Sequence, residues 1–261
     1  MLQGKTIVVT RPVEQAKKLV ALLENAGAIP VLFPLIEITA LQDYTAFDAL
    51  LTQLPTIDLA IFISTNAVQN AMPRLVKQYP ILPKALQFAA IGPTTAAELH
   101  SYGVQHIIKP TQRFDSEALL ALPELQSMVG KNVMIFRGVG GREVLADVLK
   151  ARGANVLFAE SYRRINPQNN AQLLIELSKK NQLDALVITS SEAMRSLLEL
   201  SANGQATWLN NTKICVNNAR IRDDLPAYLK PQTTVASAPG DPAMLQCLQN
   251  TLNKNDKLIK P

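Results

Sequence analysis

Short apolar runs of strand length alternate with stretches whose apolar residues recur at helical spacing, almost throughout this chain. Residues 5–10 are rich in β-branched side chains and predict a buried strand. Residues 13–26 follow with Ala16, Leu19, Val20 and Leu23 on one helical face, and Gly27 stops that helix. Residues 29–33 predict the next strand. The alternation continues with a helix near 44–54, a strand at 58–63, a helix from Asn66, a strand at 86–91, a helix from Pro93, a strand near 106–108 and a helix from Ser116. From Lys131 the order starts again. Such alternation predicts an α/β fold with parallel sheets covered on both faces.

The second start is a repeat. Gly4-Lys5-Thr6-Ile7-Val8-Val9-Thr10-Arg11 matches Gly130-Lys131-Asn132-Val133-Met134-Ile135-Phe136-Arg137 at a shift of 126 residues. The same shift carries Leu23, Gly27 and Ala28 onto Leu149, Gly153 and Ala154, and Asp58, Ser64 and Ala67 onto Asp184, Ser190 and Ala193. It carries Leu99 onto Leu225 and Asp115 onto Asp241 without a gap. A tandem duplication of one α/β unit explains this, and a cleft between two similar lobes is the natural place for a ligand. Two segments depart from the alternation. Residues 34–41 and 159–165 each prolong a strand beyond its expected end and are equivalent under the shift. If they pair, they form a two-stranded connector between lobes.

At 261 residues the chain can build two cores, and 48% hydrophobic content with only 5% aromatics makes their interior aliphatic. No apolar run reaches membrane-spanning length and no leader pattern precedes the first strand, so a cytoplasmic protein with no membrane partner is expected. Cys215 and Cys247, on an expected strand and helix, read as buried free thiols. The net charge of +5 is mild, and no stretch interleaves basic and aromatic residues as a nucleic-acid face does. From Asn253 onward the chain is polar and Lys-rich, which reads as a loose tail. No heptad pattern or long apolar edge calls for association, so a monomer is expected.

Chemistry in parallel α/β sheets gathers beyond the carboxyl ends of the strands, where helix N-termini offer unpaired N–H groups to anions. The loop after the first strand carries Thr10-Arg11-Pro12, and Arg11 can grip a carboxylate with two hydrogen bonds. Its equivalent, Arg137, opens Arg137-Gly138-Val139-Gly140-Gly141-Arg142-Glu143. A dinucleotide fingerprint needs a third glycine where Glu143 stands. A loop whose backbone at Gly140 and Gly141 closes on an anion, flanked by Arg137 and Arg142, fits better. After the third strand, Ser64-Thr65-Asn66 is matched by Ser190-Ser191-Glu192, preceded by Thr189. Helix capping alone explains these hydroxyls, and capping combined with carboxylate binding explains them equally well. After the fourth strand, Gly92-Pro93-Thr94-Thr95 combines a glycine that permits close approach with two hydroxyls. Asn218-Ala219-Arg220-Ile221-Arg222 stands there in the second repeat. Eight of the eleven arginines follow residue 130, several of them at loop positions suited to carboxylates. His100 and His106 are not at metal-ligand spacing, and no P-loop, nucleophile elbow or zinc-protease helix is present. Tyr162, within Glu160-Ser161-Tyr162-Arg163-Arg164, can donate a proton into the cleft or simply pack.

In order and spacing, Val9-Thr10-Arg11-Pro12, Phe62-Ile63-Ser64-Thr65-Asn66-Ala67-Val68, Ala90-Ile91-Gly92-Pro93-Thr94-Thr95-Ala96, the Arg137 to Glu143 loop, Gly153-Ala154 leading to Tyr162, and Thr189-Ser190-Ser191 resemble the uroporphyrinogen-III synthase family over nearly the whole chain. The resemblance implies two flavodoxin-like parallel-sheet lobes joined by a two-stranded β connector, one lobe being discontinuous: residues 1–36 with 166–261, and residues 37–165. It implies a substrate, hydroxymethylbilane, that is a linear tetrapyrrole with eight carboxylates, and a reaction that loses water, closes the ring and inverts the last pyrrole through a spiro intermediate, with no metal or cofactor. Such a reaction depends on positioning more than on acid and base. It implies Tyr162 as general acid, with Arg11, Ser64, Thr65, Asn66, Gly92, Thr94, Thr95, Arg137, Gly140, Gly141, Arg142, Thr189, Ser190, Ser191 and Arg220 around the substrate. The family's Gly and Thr at the late second-repeat helix are Asn218 and Ile221 here, so either Arg220 or Arg222 substitutes for the lost hydroxyl, or that loop does less. The rival readings are a two-lobed protein that binds an acidic small molecule without reacting, and a nucleotide-dependent α/β enzyme.

Overall fold

The computed structural model describes residues 1–201 and 206–253. Beyond Asn253, the expected tail lies outside the described residues. The first repeat forms β1 (Thr6–Val9), α1 (Val13–Asn25), β2 (Ile29–Leu32), β3 (Glu37–Ala40), α2 (Thr45–Leu51), β4 (Leu59–Phe62), α3 (Thr65–Gln78), β5 (Gln87–Ala90), α4 (Pro93–Ser101), β6 (Ile107–Ile108) and α5 (Ser116–Leu120). The second forms β7 (Asn132–Gly138), α6 (Val144–Ala151), β8 (Asn155–Ile165), α7 (Gln172–Lys179), β9 (Ala185–Ile188), α8 (Ser191–Ser201), β10 (Lys213–Val216), α9 (Ala219–Asp223), β11 (Thr233–Val235) and α10 (Asp241–Asn253). Under the 126-residue shift β4 falls on β9 and β5 on β10, end for end. Gly27 and Gly153, equivalent under the shift, end α1 and α6 at φ of +83° and +91°, a conformation that favours glycine.

Two sheets result, and each mixes the repeats. Read from the β2 edge, one has the order β2-β1-β9-β10-β11, the other β3-β8-β7-β4-β5-β6. Leaving β3 aside, each is the flavodoxin-like order, with the strand order reversing between its second and third strands, which run parallel. In both, the first two strands belong to one repeat and the last three to the other. The registers repeat too: Ile7 faces Ala185 in one sheet as Val133 faces Leu59 in the other, and both pairings are parallel. The chain divides accordingly into Met1–Glu37 with the chain from Ile165 onward, and Ile38–Arg164. These limits differ by one residue at each crossing from those read in the sequence.

The two connector segments are not alike. The first does not prolong a strand: β2 ends at Leu32, and β3 is separate and sits beside β8 at the edge of the other sheet. The second does run on, as the eleven residues of β8. The Phe33 and Leu35 N–H groups still donate to the Val9 and Thr10 carbonyls at 3.0 Å, so the chain leaves β1 only after Leu35 and then joins the other sheet as β3. The helix expected near 44–54 is also shorter, because a 3-10 turn over Leu54–Thr56 with Pro55 follows it separately.

Both faces of the second unit's sheet are buried, as parallel sheets require. Ala60, Phe62, Met134 and Phe136 point to one side with Phe47 and Met72, and Leu59, Ile61, Val133 and Ile135 point to the other with Leu119 and Leu149. Phe62 and Phe136, opposite each other in the register, stack at 4.3 Å between centroids. In the other unit, Ile7, Val9, Ala185 and Val187 pack with Leu19 and Leu248 from α1 and α10. Cys215 and Cys247 are free and buried in that cluster.

A matched pair of aspartates joins the exchanged segments. Asp58 accepts the Asn132 N–H at 2.8 Å and the Lys131 ammonium at 3.0 Å. Asp184 accepts the Thr6 N–H at 2.8 Å and pairs with Lys5 at 3.2 Å. Each therefore binds the start of a strand from the other repeat. The Asn132 N–H, with Lys131 assisting, holds the Asp58 carboxyl below the usual carboxylate range. A lowered carboxyl stabilises the fold above its unfolded-state value and loses that contribution as pH falls through the folded one. Asp58→Asn should cost about 1–2 kcal/mol at pH 7, measured by urea unfolding. The gap from wild type should narrow progressively as pH falls through and below the ordinary carboxylate range; a gap unchanged between neutral and acid pH would refute this account.

Candidate functional site

In a flavodoxin-like sheet the crevice lies where strand order reverses. In the second unit that is between β7 and β4, and the loops there are Gly138 to Glu143 and Ile63 to Thr65. Three polar side chains meet at this point. The Ser64 hydroxyl accepts the Ala67 N–H at 3.0 Å, capping α3, and lies 3.1 Å from the Tyr162 hydroxyl. The Arg164 guanidinium donates to the same Tyr162 oxygen at 2.9 Å. With the tyrosine accepting from Arg164 and donating to Ser64, the serine keeps its own proton to give outward. Ser64 is half-buried and Tyr162 wholly buried, so the serine is the outward end of the chain.

Tyr162 reaches this place through a β-bulge. Residues 156 and 158 of β8 face the Leu119 side of the sheet, while 157 and 159 face the Phe62 side. Strict alternation sends Tyr162 to the Leu119 side. The register slips between Arg137 and Gly138, whose partners are Glu160 and Tyr162, and Tyr162 packs on the Phe62 side instead. Carbonyls on both sides of the bulge are partnered. The Val139 N–H donates to the Tyr162 carbonyl at 2.8 Å, and the Tyr44 hydroxyl donates to the Ser161 carbonyl at 3.1 Å. Gly138 makes room for the ring, because a Cβ there would lie 2.7 Å from Tyr162 Cε2.

The glycine loop does close on an anion, but the anion is the protein's own. The Gly140 N–H donates to the Glu160 carboxylate at 2.9 Å. Arg137 does not face outward as expected. It is 3% exposed, donates to the Gly138 and Gly140 carbonyls, and lies 4.6 Å from the Phe158 ring centroid. Gly141, at φ +102°, folds over the Arg137 guanidinium, while Arg142 is exposed. The loop is thus an internally satisfied turn with Arg142 at its rim. Arg11 likewise meets a chain carboxylate first, pairing with Asp241 at 2.5 Å and tying the loop after β1 to the start of α10.

The remaining residues fall at strand-to-helix junctions. Ser190 caps α8 by accepting the Ala193 N–H at 3.0 Å. The Ser191 hydroxyl is buried with no hydrogen-bond partner among the described residues. Thr65, Asn66 and Thr189 are half-buried, Thr94 is exposed and Thr95 is buried. Gly92 leaves α4 without a side-chain cap, and its φ of −174° is extended backbone open to any residue. The close approach it permits is made by Phe114, whose Cβ would lie 3.0 Å from a Cβ at position 92. Asn218 caps α9 by accepting the Ile221 N–H at 3.2 Å, so that junction is closed by the chain, and Arg220 is exposed beside it. Among the described residues no group of three or more His, Cys, Asp or Glu could hold a metal ion, and no helix is long and apolar enough to cross a membrane.

A family model described as uroporphyrinogen-III synthase HemD matches residues 17–246. The curated uroporphyrinogen-III synthase of Escherichia coli K12 is 34% identical over 245 residues, spanning 94% of this chain and all of that protein. The chain belongs to the uroporphyrinogen-III synthase family. The Synechococcus elongatus synthase is 28% identical and covers 90% of the chain and 86% of itself. A mutant uroporphyrinogen III synthase from the extremely thermophilic bacterium Thermus thermophilus has the same fold, at a TM-score of 0.66 and 21% identity over 96% of this chain and all of that one.

Within this family member, Arg164 and Glu160 were not singled out from the sequence as site residues. Their signal was available: they flank Tyr162 at two-residue spacing on an expected strand. Tyr44, which braces the bulge, carried no such signal. Gly138→Ala should displace the Tyr162 ring and cost about 1–3 kcal/mol through overpacking, read by urea unfolding. A variant as stable as wild type would show that the ring yields freely and that the bulge does not fix it.

Proposed function

We propose that this chain cyclises hydroxymethylbilane with loss of water and inversion of the last pyrrole ring, releasing uroporphyrinogen III. The carrying observation is the Arg164–Tyr162–Ser64 hydrogen-bond chain at the point where strand order reverses. Membership of the family, with all of the Escherichia coli synthase covered, supports the same reading.

The residues suit a reaction governed by placement. The electron-rich bilane expels its terminal hydroxyl readily, and proton transfer to that oxygen makes water the leaving group. Ser64 donates the proton outward, Tyr162 replaces it on Ser64, and the Arg164 N–H steadies the charge left on the tyrosine oxygen. The carbon already bearing a substituent on the last ring then attacks, the spiro intermediate fragments, and reclosure inverts the ring. The proton released on rearomatisation restores the relay, so the net change is loss of one water.

The substrate's carboxylates need donors that the chain has not already satisfied. Ser191, with its unpartnered hydroxyl, is the strongest of these in its unit. Thr94 beside the side-chain-uncapped start of α4, Thr65, Asn66, Thr95, Thr189, Ser190, Arg142 and Arg220 complete the set. Arg11, Arg137 and Gly140 shape the loops instead, through Asp241, the Gly140 carbonyl and Glu160. We take the chain to work as a cytoplasmic monomer without metal or cofactor.

Freshly made bilane incubated with the protein and a chelator should give chiefly the type III isomer after oxidation and chromatography. Only type I, as in an enzyme-free control, would favour a non-catalytic binder and overturn the proposal. Tyr162→Phe should lower turnover roughly 100-fold, and unchanged turnover would remove the tyrosine from the relay. Ser191→Ala should raise KM yet leave stability equal or about 1 kcal/mol higher, since it deletes an unsatisfied buried hydroxyl. Unchanged KM would take Ser191 out of the carboxylate site.

A further inference from the structure

We infer that Phe114 is a wall of the substrate site, its ring face receiving a pyrrole ring of the bilane; the inference rests on the cyclisation reading above. Phe114 is 52% exposed, while the six other phenylalanines are buried or half-buried. An exposed aromatic ring on a loop is common, but this one is placed and held. It lies in the loop between β6 and α5, at the carboxyl edge of the same sheet that carries Ser64 and Tyr162. It rests on Gly92, where a Cβ would come within 3.0 Å of Phe114 Cβ and 3.2 Å of its Cγ. The extended backbone at Gly92 imposes no need for glycine, so the missing side chain serves to seat the ring.

Both neighbours of Phe114 are tied down. The Asp115 carboxylate accepts the Ala118 N–H at 2.8 Å, capping α5, and accepts the Arg113 guanidinium at 2.6 and 3.1 Å. The Ala118 N–H, with Arg113 assisting, holds the Asp115 carboxyl below its ordinary value, so the clasp is fully formed at neutral pH. An apolar ring is thereby held toward water beside the start of α4, where Thr94 is exposed and no side chain caps the first turn.

The bilane's building block is an electron-rich ring edged with carboxylates. An aromatic face next to a hydroxyl and free-standing helix N–H groups matches that block in both its parts. The order β7-β4-β5-β6 sets this face about 5–10 Å along the sheet edge from the strand that ends at Ser64, one or two strand spacings away. A linear tetrapyrrole reacting at Ser64 can reach that far. Fixing a ring distant from the reacting carbon is what inversion needs, because a loosely held bilane closes unaided to type I.

The test compares wild type with Phe114→Ala and Phe114→Tyr in the bilane assay, resolving KM, turnover and isomer ratio, with melting curves alongside. Phe114→Ala should raise KM about tenfold, the worth of one aromatic contact, and increase the type I share. Its melting temperature should stay near wild type, because the ring is exposed, and Phe114→Tyr should restore both KM and isomer ratio. Wild-type KM and isomer ratio in Phe114→Ala would overturn the inference while leaving the cyclisation reading intact. A large fall in melting temperature, with no rescue by tyrosine, would make the ring a structural prop and also overturn it. Type I alone from wild type would defeat the cyclisation reading, and this contact with it.

Discussion

The strand-helix-strand segment that opens each repeat lies in the sheet of the other repeat, and the rest of the architecture depends on that exchange. Asp58 and Asp184 hold it at equivalent points, each accepting the N–H that begins a strand from the opposite half of the sequence. Neither sheet is complete without it. If each repeat folded by itself, Lys131 and Asp58 would belong to different units, as would Lys5 and Asp184. Because the same registers and the same carboxylate contacts recur in both units, the exchange is a property of the repeat.

The exchange also builds the candidate site. Ser64 comes from the first repeat and Tyr162 and Arg164 from the second, and they meet because β4 pairs with β7 and β7 with β8. The reversal of strand order between the parallel strands β7 and β4 opens the crevice, and the bulge in β8 turns the tyrosine toward Ser64. Glu160 and Arg137 then satisfy the glycine loop from within. A loop already neutralised in this way is a rigid rim, which suits a reaction whose outcome is decided by how the substrate is held.

Much of the fold was legible because hydrophobic periodicity reports burial directly. The strands read at 58–63, 86–91 and 106–108 lie within a residue of their observed ends, since runs such as Leu59 to Phe62 are buried on both faces and leave no other reading. The connector is the exception: β2 ends at Leu32 and β3 joins the other sheet, although the equivalent stretch in β8 is continuous, because which sheet a segment joins is not a local property. Helix caps were legible by position, because Ser64, Ser190 and Asn218 stand at strand-to-helix junctions and do cap their helices. Direction was not legible. Arg11 and Arg137 have the chemistry of carboxylate receptors, yet Asp241 and the loop carbonyls engage them, and those partners are distant in sequence or depend on loop shape.

The amino-acid sequence by itself determined the repeat, the alternation of strands and helices and the hydroxyl-bearing junctions, because each depends on residues near one another along the chain. Only the tertiary structure decided which half completes which sheet, and that Tyr162 faces Ser64 across the bulge. It also decided that Gly92 makes way for a phenylalanine of the same chain. These outcomes depend on pairings between segments as far apart as Ile7 and Ala185, and on a one-residue slip that reverses the side a strand residue faces. Local pattern carries no record of either.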